Sequence, residues 1–274
     1  MIRIVYVTIT YNAASVLQRT LDSVMQQDYP KITHLIIDGA STDGTLAMID
    51  DYIRRSNAAG NGHRIQVTSE PDSGIYDAMN KGLRSIDGTY VCFLNAGDAL
   101  PAPDTVSRIV RAVSTSHLIP EPTRSLSSLP AVLYGDTDII DAEGRFLRHR
   151  RLSPPEELTW RSFRQGMLVC HQAFYARTDF AIDNHYDTRY RYSADVDWCI
   201  RIMKAAEREG VPMLNLHMTV ANYLEEGQTT LHHRQSLWER YRVMERHYGR
   251  IQTFLLHCWF VVRTLIHSLG KLIH

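Results

Sequence analysis

Four short apolar blocks punctuate the first hundred residues, each closed by a polar turn. The blocks are Ile2 to Ile9, His34 to Asp38, Arg64 to Ser69 and Tyr90 to Leu94, and helical patterns follow the first three at Ser15 to Gln26, Thr45 to Arg55 and Ile75 to Ile86. A continuous apolar run of this length suits a parallel strand covered on both faces. Strand and helix in strict alternation imply an α/β fold, a mostly parallel sheet flanked by helices and joined by right-handed crossovers. Ligands bind such sheets beyond the carboxyl ends of the strands. That is where this chain places its polar clusters.

The stretch from Ser116 to Pro130 is rich in Pro, Ser and Thr and reads as a long connection, which divides the chain into 1–115, 131–230 and 231–274. In the second part, Val132 to Tyr134 and Ile139 to Arg150, broken by Asp141-Ala142-Glu143-Gly144, are predicted strands with a turn, and Ala194 to Glu209 is predicted as an amphipathic helix. Thirty basic and thirty acidic side chains leave no global field to attract nucleic acid, which is therefore excluded as the main partner. Composition near the soluble average argues against disorder and against a polytopic membrane protein. Cys92, Cys170, Cys199 and Cys258 lack the paired spacing of a zinc site or disulfide framework and are expected as reduced core residues. The opening MIRIVYVTITYN lacks the sections of a secretory signal, so a cytoplasmic location is expected.

Residue by residue the turns are less decisive. Thr8-Ile9-Thr10-Tyr11-Asn12 offers hydroxyls, backbone donors and a ring to a base or ribose, but Asn12 or Ser15 could equally cap a helix. Asp38 stands where a sugar hydroxyl could be held, and also where an ordinary turn needs an Asp. Asp77, Asn80 and Lys81 share one helix face after Glu70-Pro71-Asp72-Ser73-Gly74, with Ser73 as a cap in the plainer reading. Asp98 closes Leu94-Asn95-Ala96-Gly97-Asp98 with a carboxylate that could meet a diphosphate-bound cation.

The ordered set VTITYN, IIDGASTDGT, SEPDSGIYDAMNKG, YVCFLNAGD, GMLVCHQAFYAR and YSADVDWCIR, spread over residues 5 to about 201, resembles the inverting family 2 glycosyltransferases of the GT-A fold. The likeness is strongest to the branch that builds colanic-acid-type and other exopolysaccharides. It implies that a nucleoside-diphosphate sugar, a UDP-sugar first of all, donates one sugar to a saccharide or lipid-linked saccharide. Thr8, Tyr11, Asn12, Asp38, Ser41, Asp72, Gly74, Asp77, Asn80 and Lys81 would form the donor set, and Asp98 would hold Mg²⁺ or Mn²⁺. The family's earlier metal carboxylates correspond here to Asn95 and Gly97. Asp195 matches the catalytic base, although Ala194 replaces the Glu that often precedes it. Asn95, His171, Asp197, His232 and Arg234 are further candidates for diphosphate or acceptor contacts, with His171 expected in a strand-like segment. Tyr223 to Thr230 is similar to the loop that closes over the diphosphate.

From Arg234 to His274 seven basic residues face two Glu. Ile251 to Leu269 is apolar and aromatic but broken by Arg263 and two histidines, a poor span and a better interfacial helix. Residues 251–274 are therefore expected to touch the inner face of the cytoplasmic membrane, or else the catalytic domain or a second copy of the chain. Two other functional classes stay open: a non-catalytic sugar-nucleotide-binding scaffold subunit, and a nucleotidyltransferase, whose Gly-rich first turn and activating Lys are missing. The Gln-x-x-Arg-Trp segment of processive synthases is missing too, since Gln235 to Arg240 reads QSLWER.

Overall fold

A computed structural model describes residues 1–116, 126–225 and 233–260. Part of the Ser116 to Pro130 stretch, residues 226–232 and residues 261–274 lie outside the described residues. The elements in chain order are β1 (Ile4–Thr10), α1 (Leu17–Met25), β2 (Ile32–Asp38), α2 (Thr45–Ala59), β3 (Arg64–Ser69), α3 (Ile75–Arg84), β4 (Tyr90–Phe93) and α4 (Thr105–Thr115). Then come β5 (Val132–Ile140), β6 (Phe146–His149), β7 (Phe174–Arg177), α5 (Thr178–Ile182), α6 (Ala194–Glu209), β8 (Met213–Leu224) and α7 (His233–Tyr248). A further helical stretch covers 250–260.

All of these strands join one sheet in the order β3-β2-β1-β4-β7-β5-β6, with β8 on β5. The first four run parallel, as the alternation predicts. β7 then enters antiparallel to both β4 and β5, and β6 folds back on β5 as a hairpin. The carboxyl ends of β1, β2, β3 and β4 thus share one edge of the sheet, and β7 brings the second half of the chain against it.

β1 and β2 are buried along their whole length because both faces are covered. One face packs Ile36 with Leu17, Leu21, Ile49 and Tyr52 from α1 and α2, and the other faces the main core. β3 lies at the edge and is largely exposed, which suits its Arg, Gln, Thr and Ser. In the main core Tyr186 stacks on Trp198 at 4.9 Å, and Phe93 of β4 meets both rings edge-on. α6 is thereby fixed against β4.

Several local expectations are corrected. Neither Asn12 nor Ser15 caps α1, whose N-cap is Val16 without a side-chain bond. Gly74, not Ser73, precedes α3. His171 lies in a short 3₁₀ turn, His171–Ala173, and the strand begins only at Phe174. Cys92 and Cys199 are buried as expected, whereas Cys170 is half-buried and Cys258 is exposed; all four are free.

Candidate active site

Beyond the ends of β1 and β2 the two turns are laced together by their own polar groups. Asn12 adopts a left-handed φ of 46°, its amide N–H donates to Ser41 Oγ at 2.8 Å, and its Oδ1 accepts from Thr42 N at 2.9 Å. Asp38 is fully buried and accepts from Ser41 N at 2.9 Å, from Ser41 Oγ and from Ser69 Oγ at 2.7 Å. Its carboxylate is spent on shaping the turns, and so is Ser41. Thr8 is also taken out of the donor set. Its hydroxyl donates to Leu94 O at 2.8 Å and therefore accepts from His34 Nε2, 2.9 Å away, while His34 Nδ1 meets the Tyr52 hydroxyl. Burial first, and His63 second, push His34 down to about 3, so this ring is a neutral core residue.

Beside these turns Tyr11, Gly39 and Asp72 come together. Tyr11 is 66% exposed, and a side chain at position 39 would come within 2.7 Å of Asp72 Oδ2 and 3.2 Å of the Tyr11 ring. Gly39 therefore lets an aromatic face and a carboxylate meet over bare backbone. Composition and spacing gave no sign of it, since an Asp-Gly pair after a strand reads as a turn. Asp72 Oδ1 accepts from Gly74 N at 2.8 Å, and Asp77 Oδ2 accepts from Ser73 N at 3.0 Å, which sets the entry into α3.

Asn80 and Lys81 are corrected. The Asn80 amide donates to Tyr186 O at 2.9 Å and accepts from Tyr186 N at 2.7 Å, clipping α3 to the second half of the chain. Lys81 Nζ donates to Pro71 O at 2.6 Å and pairs with Glu70 at 2.9 Å, so it steadies the turn that carries Asp72.

The turn after β4 is held by Thr20 of α1, whose hydroxyl accepts from Gly97 N at 2.9 Å and donates to Asp98 O at 2.6 Å. Gly97 has φ 100°, and a side chain there would come within 2.6 Å of Leu224. An acid at that position would be strained by the positive φ and would have to displace the Leu224 side chain. Asp98 is buried; Oδ1 accepts from Leu224 N at 3.0 Å and Oδ2 from Gln172 Nε2 at 2.9 Å. Burial pushes its carboxyl up to about 6, against the pull of those two donors and of His171. This is a carboxylate that fastens β8 to β4, and its presentation as an open metal ligand is corrected.

Asp195 stands in the first turn of α6, where the two halves meet. The Tyr76 hydroxyl of α3 donates to Oδ1 at 3.1 Å, and His171 Nδ1 lies 3.3 Å from Oδ2. Burial pushes the carboxyl up, but the His171 hydrogen bond, the charge of Arg240 and the Val196 N–H together hold it below the usual carboxylate range. Arg240 of α7 has a buried Nε without a hydrogen-bond partner. Tyr76, Gln172 and Arg240 escape sequence reasoning because their partners lie far away along the chain.

Asp197 does not face this site. It is fully buried and binds Arg201 Nε at 2.7 Å and His247 Nε2 at 2.8 Å, tying α6 to α7. Arg234 is exposed in the first turn of α7, two residues before Ser236, whose carbonyl accepts from Ser193 Oγ at 3.1 Å. Of the segment Tyr223 to Thr230 expected as a closing loop, Tyr223 and Leu224 end β8 instead, and 226–230 lie outside the described residues, as does His232.

Residues 6–183 match the family described as glycosyl transferase family 2. A PGL/p-HBAD biosynthesis glycosyltransferase of Mycobacterium bovis (strain BCG / Pasteur 1173P2) is 32% identical over 219 residues, covering 80% of this chain and 75% of the relative. Among solved structures, S. aureus TarS 1-349 in complex with UDP-GlcNAc superposes with a TM-score of 0.63 at 16% identity. That match covers 89% of this chain but 64% of TarS 1-349, a little under two thirds. The mannosyltransferase PcManGT from Pyrobaculum calidifontis, in complex with GDP-Man and Mn²⁺, gives 0.56 at 17% identity, covering 99% of this chain and 80% of that one. At such identities these two likenesses show the GT-A fold alone, whereas the family match and the mycobacterial relative extend to sequence. The chain belongs to glycosyltransferase family 2.

Proposed function

We propose that the protein is an inverting hexosyltransferase that moves one sugar from a nucleoside-diphosphate sugar, a UDP-sugar first, to a saccharide acceptor carried on a lipid in cell-surface glycan assembly. The observation that carries this reading is Asp195, held by Tyr76 and His171 where the second half of the chain meets the β1–β4 edge of the sheet. The exposed ring of Tyr11 beside Asp72 at that edge suits a nucleoside. The donors named with the two structural neighbours and the biosynthetic role named for the mycobacterial relative support the substrate classes.

In the reaction Asp195 takes the proton of an acceptor hydroxyl as that oxygen forms a bond to the anomeric carbon. The bond from this carbon to the diphosphate breaks, and its electron pair leaves with the nucleoside diphosphate. One displacement inverts the centre. An Asp kept ionised by its neighbours is suited to the base role, and Arg240 brings positive charge from α7 to bear on it. Mg²⁺ or Mn²⁺ is the cation such donors carry, but Asp98 is engaged, Gly97 offers no side chain, and no group of three His, Cys, Asp or Glu among the described residues could hold a metal. These residues do not fit a preformed cation site. The cation is proposed to arrive with the diphosphate, whose oxygens supply much of its shell.

Sugar transfer and nucleotide calorimetry on Asp195→Asn test the reading. Transfer is expected to fall by about a thousandfold with nucleotide affinity kept. Retained turnover would refute the base assignment, and a wild-type chain that binds nucleotide yet transfers nothing across a donor and acceptor panel would favour the scaffold class.

A further inference from the structure

We infer that His171 is the positioning residue of Asp195 and that Asn95 sets the state of its ring. This rests on the reading of Asp195 as the base. His171 Nε2 lies 3.1 Å from Asn95 Nδ2, and an amide nitrogen can only donate. The ring nitrogen facing it must accept, which leaves the proton on Nδ1, 3.3 Å from Asp195 Oδ2. Asp195 is then gripped by a donor on each oxygen, Tyr76 on one and His171 on the other. Each oxygen keeps a lone pair for the acceptor's proton.

The backbone beneath His171 is anchored on both sides. Ala173 N donates to Cys170 O at 2.9 Å, Cys92 Sγ donates to Gln172 O at 3.2 Å, and Gln172 Nε2 reaches Asp98. The ring is therefore aimed by a fixed turn.

Asn95 Oδ1 is buried without a partner. An Asp at this position could only accept, and would favour the imidazolium. The substitution that thins the acidic element after β4 thus gives His171 the donor it needs to aim its proton at Asp195.

Kinetics and ring-nitrogen NMR on the full chain test this. His171→Ala is expected to lower kcat on the order of a hundredfold, the scale of a misplaced reacting group, with the donor KM within about twofold of wild type. His171→Asn should recover part of the loss, because its amide can donate to Asp195, and His171→Phe should recover none. In wild type the ¹⁵N spectrum is expected to show the proton of His171 on Nδ1, and Asn95→Ala should release that preference. A donor KM that rises while kcat stays unchanged would make His171 a donor contact and overturn the inference. A proton on Nε2 in the presence of Asn95 would overturn it as well, and that measurement stands even if no sugar transfer is found.

Discussion

Asp98 carries an ionised group where the protein has removed most of its water. Its carboxyl is raised to about 6 by burial, above its ordinary value of 3.8. The folded state therefore binds this proton more readily than the unfolded chain. The contribution to stability is fully present below about pH 4 and is lost as pH rises through about 6. Asp98→Asn removes the charge, and Gln172 can turn its amide to accept from the new Nδ2, because Gln172 Oε1 is buried without a partner. The variant should melt above wild type at pH 8, by an amount worth up to about 3 kcal/mol, and the gap should close toward pH 4. A variant that melts below wild type at pH 8 would show that the ionised form is the stabilised one. Residues of this kind were the least legible in the sequence. Thr8, Asp38, Asn80 and Asp197 follow strands or sit on helices as ligand contacts do, and their hydrogen bonds to His34, Ser69, Tyr186 and His247 are long-range. Polarity at a strand end marks a site without saying which polar groups are consumed in building it.

At the level of elements, α6 is capped from outside itself. Ser193 precedes it without a side-chain bond to the helix and spends its hydroxyl on Ser236 O. Instead Glu239 of α7 accepts from the backbone N–H groups of Arg191 at 2.8 Å, Tyr192 at 2.6 Å and Ser193 at 3.1 Å. Glu239→Ala strips that cap and should lower stability by about 1 to 2 kcal/mol, read as a drop in Tm. It should also depress kcat, because Asp195 lies two residues beyond Ser193. An unchanged Tm would show that water replaces the carboxylate at no cost. The helix was legible as Ala194 to Glu209 because its apolar residues recur at helical spacing and Gly210 ends it in a left-handed conformation. The cap was not legible, since nothing near Glu239 in sequence announces a partner 46 to 48 residues earlier. The parallel strands were readable from unbroken apolar runs, whereas the antiparallel pairing of Tyr134 with Phe174 depends on contacts that no local pattern encodes.

Over the whole molecule, one end carries an apolar surface that is exposed among the described residues. Ile251, Phe254 and Leu255 are 80%, 60% and 61% exposed, Trp238 and Trp259 lie open as well, and Arg250 projects among them. No helix among the described residues is long and apolar enough to cross a membrane. An amphipathic surface of aromatic, aliphatic and basic side chains suits an anionic interface. The wild-type chain should float with anionic liposomes, and the triple variant Ile251→Ser, Phe254→Ser, Leu255→Ser should not. Equal flotation of both would sink the membrane contact, and a wild-type dimer that the variant loses would assign the surface to a second copy. The neighbours His171 and Gln172 have another consequence at this scale. One faces Asp195 and Asn95, the other Asp98, so adjacent residues hold these two carboxylates. A chimera that borrows the second half of a relative would have to borrow position 95 with it, because recombination at the 117–125 connection separates a pair that works only when inherited together.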